Sequence, residues 1–410
     1  MRPLYTAAIS LYAAAVQAAA PFHGKARKMI DGRRSIDEVL REKIVPGARY
    51  VWLHAASLGE FEQGRPLLEA IRQRHPDYKI VLTFFSPSGY DVRRDYPGAD
   101  VVCYLPFDFP RRIRRFLDRV RPTLALFVKY EFWLNTLDEL RRRRVPTYLV
   151  SGIFRPGQFF FRPIGRPYRD ALRCFDHLFV QDETSRQLLA GIGLTNVTVT
   201  GDTRFDRVID IRHAARPLPV VAAFAERDAR PVLIAGSSWP EDEALLIPYF
   251  NAHPDLKLIL APHEIHEAHL AAIEARLTRP ALRLSRVDAD TAAGVDCLIV
   301  DSFGLLSSIY RYARIAYIGG GFGHGIHNAP EAAVYGVPVL FGPNHHKFRE
   351  ALDLIACGGA FSITDASTLS ARLDALLADP DACTAAGESA GAYIQQHSGA
   401  TEQILRAIDL

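Results

Sequence analysis

Residues 319–331 read Gly319-Gly320-Gly321-Phe322-Gly323-His324-Gly325-Ile326-His327-Asn328-Ala329-Pro330-Glu331. Five glycines fall within seven residues, straight after an apolar run at Ile315–Gly319 and just ahead of a helix start at Pro330. Strand, glycine turn and proline-started helix make the opening of a strand–helix unit. Such a turn brings backbone N–H groups close to an anion, with the helix dipole behind them. The run is not the dinucleotide fingerprint, because its acid, Glu331, lies in the first helical turn rather than about 20 residues on. It is not a P-loop either, since no Gly-Lys-Ser/Thr occurs. Glu331 is placed to take ribose hydroxyls; a loop that is merely flexible is the alternative.

Outward from this loop the same alternation recurs in both directions. Apolar, β-branched runs lie at Tyr50–Ser57, Lys79–Phe85, Val101–Leu105, Thr123–Val128, Thr147–Val150, His177–Val180 and Val197–Thr200. Seven more lie at Val232–Ser237, Leu256–Ala261, Leu282–Ser285, Cys297–Asp301, Ile315–Gly319, Val337–Phe341 and Ala360–Ile363. Stretches of helical periodicity, such as Phe61–Arg74 and Arg111–Val120, separate them. Strands alternating with helices predict parallel sheets covered on both faces. The alternation pauses over Asp206–Arg230, with Pro217 and Pro219, which reads as a connection between domains. The expectation is therefore an α/β chain of two doubly wound domains, 35–210 and 211–382. A segment 1–34 precedes them, and a helical tail 383–410 packs back on the first.

Composition sets the remaining limits. The 410 residues are 49% apolar and 23% charged, which excludes disorder. Five scattered cysteines, at 103, 174, 297, 357 and 383, argue against a disulfide framework or a zinc site. The net charge of +3 hides an asymmetry. Residues 1–210 hold 34 Lys and Arg against 23 Asp and Glu, a balance of +11, and residues 211–410 carry −8. From Pro3 to Phe22 no residue is charged, and Lys25, Arg27, Lys28, Arg33 and Arg34 follow at once. An apolar amino-terminal helix with a basic flank fits membrane association with the rest of the chain cytoplasmic. An amphipathic helix packed on the first domain is the alternative.

In open α/β sheets ligands bind beyond the carboxyl ends of the strands. There the first domain offers His54-Ala55-Ala56-Ser57-Leu58-Gly59-Glu60, where Gly59 permits close approach of a substrate. Glu60 is either a general base or a first-turn acid favouring the helix dipole. Lys129-Tyr130-Glu131-Phe132-Trp133 offers a carboxylate for hydroxyls and an indole for a sugar face, or else a surface ion pair beside a core Trp. In the second domain, Gly236-Ser237-Ser238-Trp239-Pro240 can donate to a phosphate or simply cap a helix.

Read together, these blocks resemble a known family. His54–Glu60, Tyr104-Leu105-Pro106-Phe107-Asp108, Glu131-Phe132-Trp133 and Gly201-Asp202-Thr203-Arg204-Phe205-Asp206 come first. His327–Glu331 follows, and then Pro338-Val339-Leu340-Phe341-Gly342-Pro343. The order is similar to that of the lipid IVA 3-deoxy-D-manno-octulosonic acid (Kdo) transferases of Gram-negative bacteria. The resemblance implies a GT-B glycosyltransferase, two Rossmann-like domains facing a cleft, with the acceptor on 35–210 and the donor on 211–382. It implies transfer of Kdo from CMP-Kdo to lipid IVA in lipopolysaccharide synthesis, at the cytoplasmic face of the inner membrane. The partners it implies are CMP-Kdo, lipid IVA and an anionic leaflet, with no nucleic acid, no cofactor and no metal. Glu60 matches the family's general base and Glu131 a second acid, with Ser57 and Gly59 beside the acceptor. Arg204, Ser237, His263, Gly320, Gly321, Asn328 and Glu331 match donor-site positions. His263 stands where many members carry Arg, and Ser151-Gly152-Ile153 where many carry Asn-Ala-Arg. Two other readings stay open: another GT-B enzyme using a nucleoside-diphosphate sugar, and a non-catalytic lipid-A-binding protein of the membrane surface.

Overall fold

Fourteen short apolar runs become fourteen short strands among the described residues of the computed structural model, which are 2–162, 165–323, 325–408 and 410. The chain divides into two units, Met1–Arg207 with Ser398–Leu410, and Val208–His397.

In the first unit the strands are β1 (Arg49–Ala55), β2 (Tyr78–Phe84), β3 (Val101–Tyr104), β4 (Pro122–Val128), β5 (Thr147–Gly152), β6 (His177–Val180) and β7 (Val197–Val199). All pairings are parallel, in the order β3-β2-β1-β4-β5-β6-β7. Side chains alternate across the sheet, as the period of two requires. Tyr50 and Trp52 of β1 enter one core with Phe116, Phe127 and Leu137. Val51, Leu53 and Ala55 enter the other, with Phe61, Leu67 and Phe84. Both faces are covered, so β1 reads as one continuous apolar run.

Four helices of this unit bear on the site or its margin: α1 (Arg2–Ala19), α2 (Gly24–Arg34), α3 (Ile36–Lys43) and α4 (Leu58–Arg74). α4 lies close on the sheet because Gly64 has no side chain; a Cβ there would meet Leu53 at 2.9 Å and Val128 at 3.1 Å. α1 is tied down at Tyr5, whose hydroxyl donates to Asp108 at 2.7 Å, and at Tyr12, which packs on Phe85 and Phe107. Its outer side leaves Leu4 76% and Leu11 74% exposed, with Phe22 beyond it at 92%. No helix among the described residues is long and apolar enough to cross a membrane, because Thr, Ser, Gln and seven alanines dilute α1. The expected apolar segment is therefore a surface helix of the first unit.

The second unit holds β8 (Val232–Ser238), β9 (Lys257–Pro262), β10 (Ala281–Arg283), β11 (Cys297–Ile299), β12 (Ile315–Ile318), β13 (Val339–Phe341) and β14 (Ala360–Ser362). They too are all parallel, in the order β10-β11-β9-β8-β12-β13-β14. The tail leaves the second unit later than expected, at Ser398 rather than at residue 383. Helix Pro380–Gln396 stays with the second unit, where Gly387 lies so near the Gly336 carbonyl that no side chain fits. Only the helix Ala400–Ala407 joins the first unit. There Ile404 and Ile408 enter the core, Glu402 pairs with Arg74 at 2.6 Å, and Asp206 accepts the Thr401 N–H at 2.6 Å.

Candidate active site

In each sheet the strand order reverses beside the first strand, and the reversal leaves a crevice at the carboxyl ends of the two flanking strands. In the first unit those strands are β1 and β4. The turn after β1 delivers Ser57 and Glu60, and the turn after β4 delivers Lys129 and Glu131. Residues about seventy positions apart in sequence are thereby brought to one place.

Ser57 is extended and precedes the first turn of α4. Glu60 folds back from that turn, and its carboxylate accepts the Ala56 N–H at 2.6 Å. Burial raises its pKa above the ordinary carboxylate value, and the neighbouring Glu131 raises it further, against the Ala56 bond and the His54 and Lys129 side chains. A Cβ placed on Gly59 would meet nothing within 4 Å, so that side of the turn is open.

Glu131 is buried and clamped. One carboxylate oxygen accepts from Trp133 Nε1 at 2.7 Å and lies 3.0 Å from His54 Nε2. The fully buried His54 continues the chain through Nδ1 to the Thr83 hydroxyl at 2.9 Å, and that hydroxyl accepts from Trp52 Nε1 at 2.9 Å. His54 Nδ1 also lies 3.1 Å from the Thr83 carbonyl and Nε2 lies 3.2 Å from Trp133 Nε1; with its proton on Nε2 the ring donates to Glu131 and accepts the Thr83 hydroxyl at Nδ1. Trp133 is thus a clamp rather than an open sugar platform: Phe85 stacks on one of its faces, 4.6 Å between centroids. His54, Thr83 and Trp52 carry no local motif linking them to Glu131; only the pairing of β1 with both β2 and β4 does so.

The second unit repeats the logic between β8 and β12. Ser237 at the end of β8 has φ +53, a left-handed conformation, and the glycine loop after β12 lies directly on it. A Cβ at Gly319 would strike the Ser237 carbonyl, and one at Gly321 would lie 2.5 Å from the Gly342 nitrogen. Gly320 has φ +90. The glycines permit backbones to cross without side chains, and Gly342 is the second partner in that crossing. Gly320 does not hold its N–H free for an anion; it donates to Asp242 at 2.8 Å. Buried Asp242 also accepts from Trp239 N–H at 2.9 Å and Tyr317 hydroxyl at 2.7 Å, so it joins both sides of the crevice. Nothing in the local sequence marks Asp242, which is one of three acids in the first turn of the helix after Trp239.

Beside the loop three rings stack. Trp239 and His263 are 4.6 Å apart and His263 and His327 are 4.5 Å apart. Trp239 Nε1 donates to His327 Nε2 at 3.1 Å. Burial lowers the His327 pKa to about 4, helped by His263, which keeps the ring neutral with its proton on Nδ1. Asn328 donates to Glu331 at 2.7 Å. A recess of about 400 Å³ opens next to this stack, lined by Trp239, Glu241, Glu264, His266, His269 and Gly323.

Ser237, His263, Gly320, Gly321, Asn328 and Glu331 all lie in this second unit. Arg204, expected with them, lies in the first. Its guanidinium pairs with buried Asp202, Nε at 2.9 Å and Nη2 at 2.8 Å. Burial alone would raise the Asp202 pKa, but Arg204 holds it below the ordinary value.

Residues 30–207 match the family described as 3-Deoxy-D-manno-octulosonic-acid transferase (kdotransferase). The 3-deoxy-D-manno-octulosonic acid transferase of Bordetella pertussis is 31% identical over 383 residues, covering 89% of this chain and 88% of its own. That of Aquifex aeolicus (strain VF5) is 26% identical over 334 residues, covering 80% and 86%. Among solved structures, UDP-GlcNAc 2-epimerase from Neisseria meningitidis bound to UDP-GlcNAc matches with a TM-score of 0.59 at 13% identity, covering 87% of this chain and 98% of its own. MurG from Acinetobacter baumannii matches at 0.56 and 12%, covering 88% and 99%. These two likenesses show the fold, that of the GT-B proteins with their two parallel α/β sheets, and nothing of the substrate. Identity across nearly the whole length of the Bordetella protein shows more: the chain is a glycosyltransferase and belongs to the 3-deoxy-D-manno-octulosonic acid transferase family.

Proposed function

We propose that the chain transfers Kdo from CMP-Kdo to lipid IVA, a step of lipopolysaccharide synthesis, at the cytoplasmic face of the inner membrane. The observation that carries the reading is the meeting of Glu60 and Glu131 at the strand reversal of the first unit, with the Glu60 pKa raised by burial and by Glu131. A base is most effective when its pKa approaches the working pH, and a raised carboxylate meets that need. Glu60 takes the proton of the acceptor hydroxyl as its oxygen attacks the anomeric carbon of Kdo. The bond from that carbon to the CMP phosphate breaks on the opposite side, and the configuration inverts. Glu131, fixed by Trp133 and His54, orients the acceptor hydroxyls, with Ser57 and Gly59 forming the open edge of the turn.

The donor nucleotide belongs on the second unit, beside Ser237, His263, Asn328 and Glu331. Gly320 and Gly321 serve it by shaping the loop. His327, neutral, offers Nδ1–H as an uncharged donor. Membrane contact is supported by the basic first half of the chain and by the exposed Leu4, Leu11 and Phe22. Single-turnover transfer from CMP-Kdo to lipid IVA, run beside UDP- and GDP-sugars, tests the reading. Glu60→Gln is expected to lose roughly 100-fold or more in rate, in the range typical of a lost general base, with CMP binding intact. A Gln variant that turns over normally leaves Glu60 as a partner of the helix dipole only.

A further inference from the structure

Away from both strand reversals, α1, α2, α3 and the helix Pro110–Val120 enclose a cavity of about 450 Å³ in the first unit. Four arginines line it, Arg33, Arg34, Arg112 and Arg115, against one acid, Asp37. Two of the four are already paired: Arg34 with Asp31 at 3.1 Å and Arg115 with Asp37 at 3.0 Å. Among the described residues the other two have no carboxylate partner. Arg112 lies over the Phe109 ring. Arg33 is only 8% exposed and donates to the Met29 and Phe85 carbonyls at 3.1 and 2.9 Å. Its Nε has no hydrogen-bond partner, and its guanidinium lies among the rings of Phe85, Tyr104 and Phe107.

A desolvated guanidinium without a counter-ion is costly, and a second one nearby adds repulsion. Both effects register on Arg33: burial, with Arg112 adding to it against Tyr104 and Tyr12, lowers its pKa to about 10. A cavity walled by unneutralised guanidinium forks suits a multiply charged oxyanion, which accepts several charge-assisted bonds at once. Gln17 apart, the rest of the wall is apolar. Ala13, Ile30, Phe107 and Phe116 contribute to it, and α1, which supplies Ala13, turns Leu4 and Leu11 outward. We infer that this cavity is a seat for a phosphomonoester, held by Arg33 and Arg112, on an amphiphile whose chains lie along α1. The choice of a lipid headgroup over free phosphate rests on the proposed action at a membrane surface; the anion seat itself does not.

The full-length protein is floated with phosphatidylcholine vesicles carrying either phosphatidic acid, a phosphomonoester, or phosphatidylglycerol, a phosphodiester, at matched surface charge. Matching removes the general attraction of basic residues to an anionic surface. The expected result is about tenfold tighter binding to the phosphatidic acid vesicles, the effect of one strong charge-assisted contact. Arg112→Gln and Arg33→Gln should abolish that preference. Arg114→Gln, an equal loss of charge on the same helix outside the cavity, should keep it. Arg112→Gln is the deciding variant should Arg33→Gln fail to fold. Titration with inorganic phosphate alone separates the sources: binding lost in Arg112→Gln assigns the seat to a free anion, and no binding assigns it to the headgroup. Equal affinity for the two vesicles, or equal loss in the Arg112 and Arg114 variants, overturns the proposal. Sugar transfer is never read, so this result is independent of Glu60 and of the acceptor.

Discussion

Glu60 and Glu131 show how two like side chains meet different surroundings. Glu131 has hydrogen-bond donors fixed around it, from Trp133 and from His54, which Thr83 and Trp52 hold in turn. Glu60 has one backbone donor and a neighbouring acid. Because Glu131 raises the Glu60 pKa, removing its charge must lower that pKa. In Glu131→Gln the acid limb of residual transfer activity, which reports deprotonation of the base, is therefore expected to move to lower pH. A limb that stays in place means that the two acids do not sense each other. His327 makes the opposite case, a base kept neutral. The unfolded chain takes up its proton near pH 6.5 and the folded chain only near pH 4, so stability is lost as pH falls through that window. Discounted for partial exposure, the loss is about 2 kcal/mol. Denaturant melts at pH 7 and pH 5 should show about half of it, ~1 kcal/mol, in the wild type and not in His327→Gln, which can still accept from Trp239.

At the scale of elements, distant segments finish what local sequence leaves undone. Helix Leu134–Arg142 starts at Trp133, which gives no side-chain cap. Asp108 supplies one from 27 residues away, accepting the Asn135 and Thr136 N–H groups at 2.9 Å each and the Thr136 hydroxyl at 2.6 Å. The same carboxylate takes the Tyr5 hydroxyl of α1, so one buried acid holds two helices. Asp108→Ala leaves those donors unmet and is expected to cost about 3 kcal/mol, seen in the denaturation midpoint. It should also release α1, seen as earlier protease cleavage within residues 2–19. Asp242 does the equivalent for the glycine loop, binding Gly320, Trp239 and Tyr317 together.

On the scale of the molecule, the proposed membrane contact belongs to the first unit. α2 sends Met29 and Arg33 into the interior, whereas α1 shows Leu4 and Leu11 to solvent. A truncation that spares the fold therefore ends before Gly24. Without residues 2–22, binding to anionic vesicles is expected to weaken at least tenfold, since burying each large apolar side chain contributes about 1.5–3 kcal/mol. The remaining binding should fall further with salt, because it rests on basic residues. Vesicle binding equal to that of the full chain would place the contact elsewhere.

The fold was legible in the sequence because parallel strands covered on both faces are unbroken apolar runs, and all fourteen runs are strands. Glu60 and the glycine loop were legible for a related reason: each follows its strand directly, in a turn of small residues. What the sequence by itself determined is thus the alternation of elements and whatever chemistry sits at a strand's own end. Tertiary structure alone decided the rest. Strand order, which no local pattern encodes, sets β1 beside β4 and so joins His54 to Glu131. Backbone crossing committed the Gly320 N–H to Asp242, and a local ion pair committed Arg204 to Asp202. Burial made Arg33, one of five closely spaced basic residues of apparent surface charge, a desolvated cation without a carboxylate partner among the described residues. Periodicity is a property of neighbours along the chain; pairing, burial and charge balance are properties of neighbours in space.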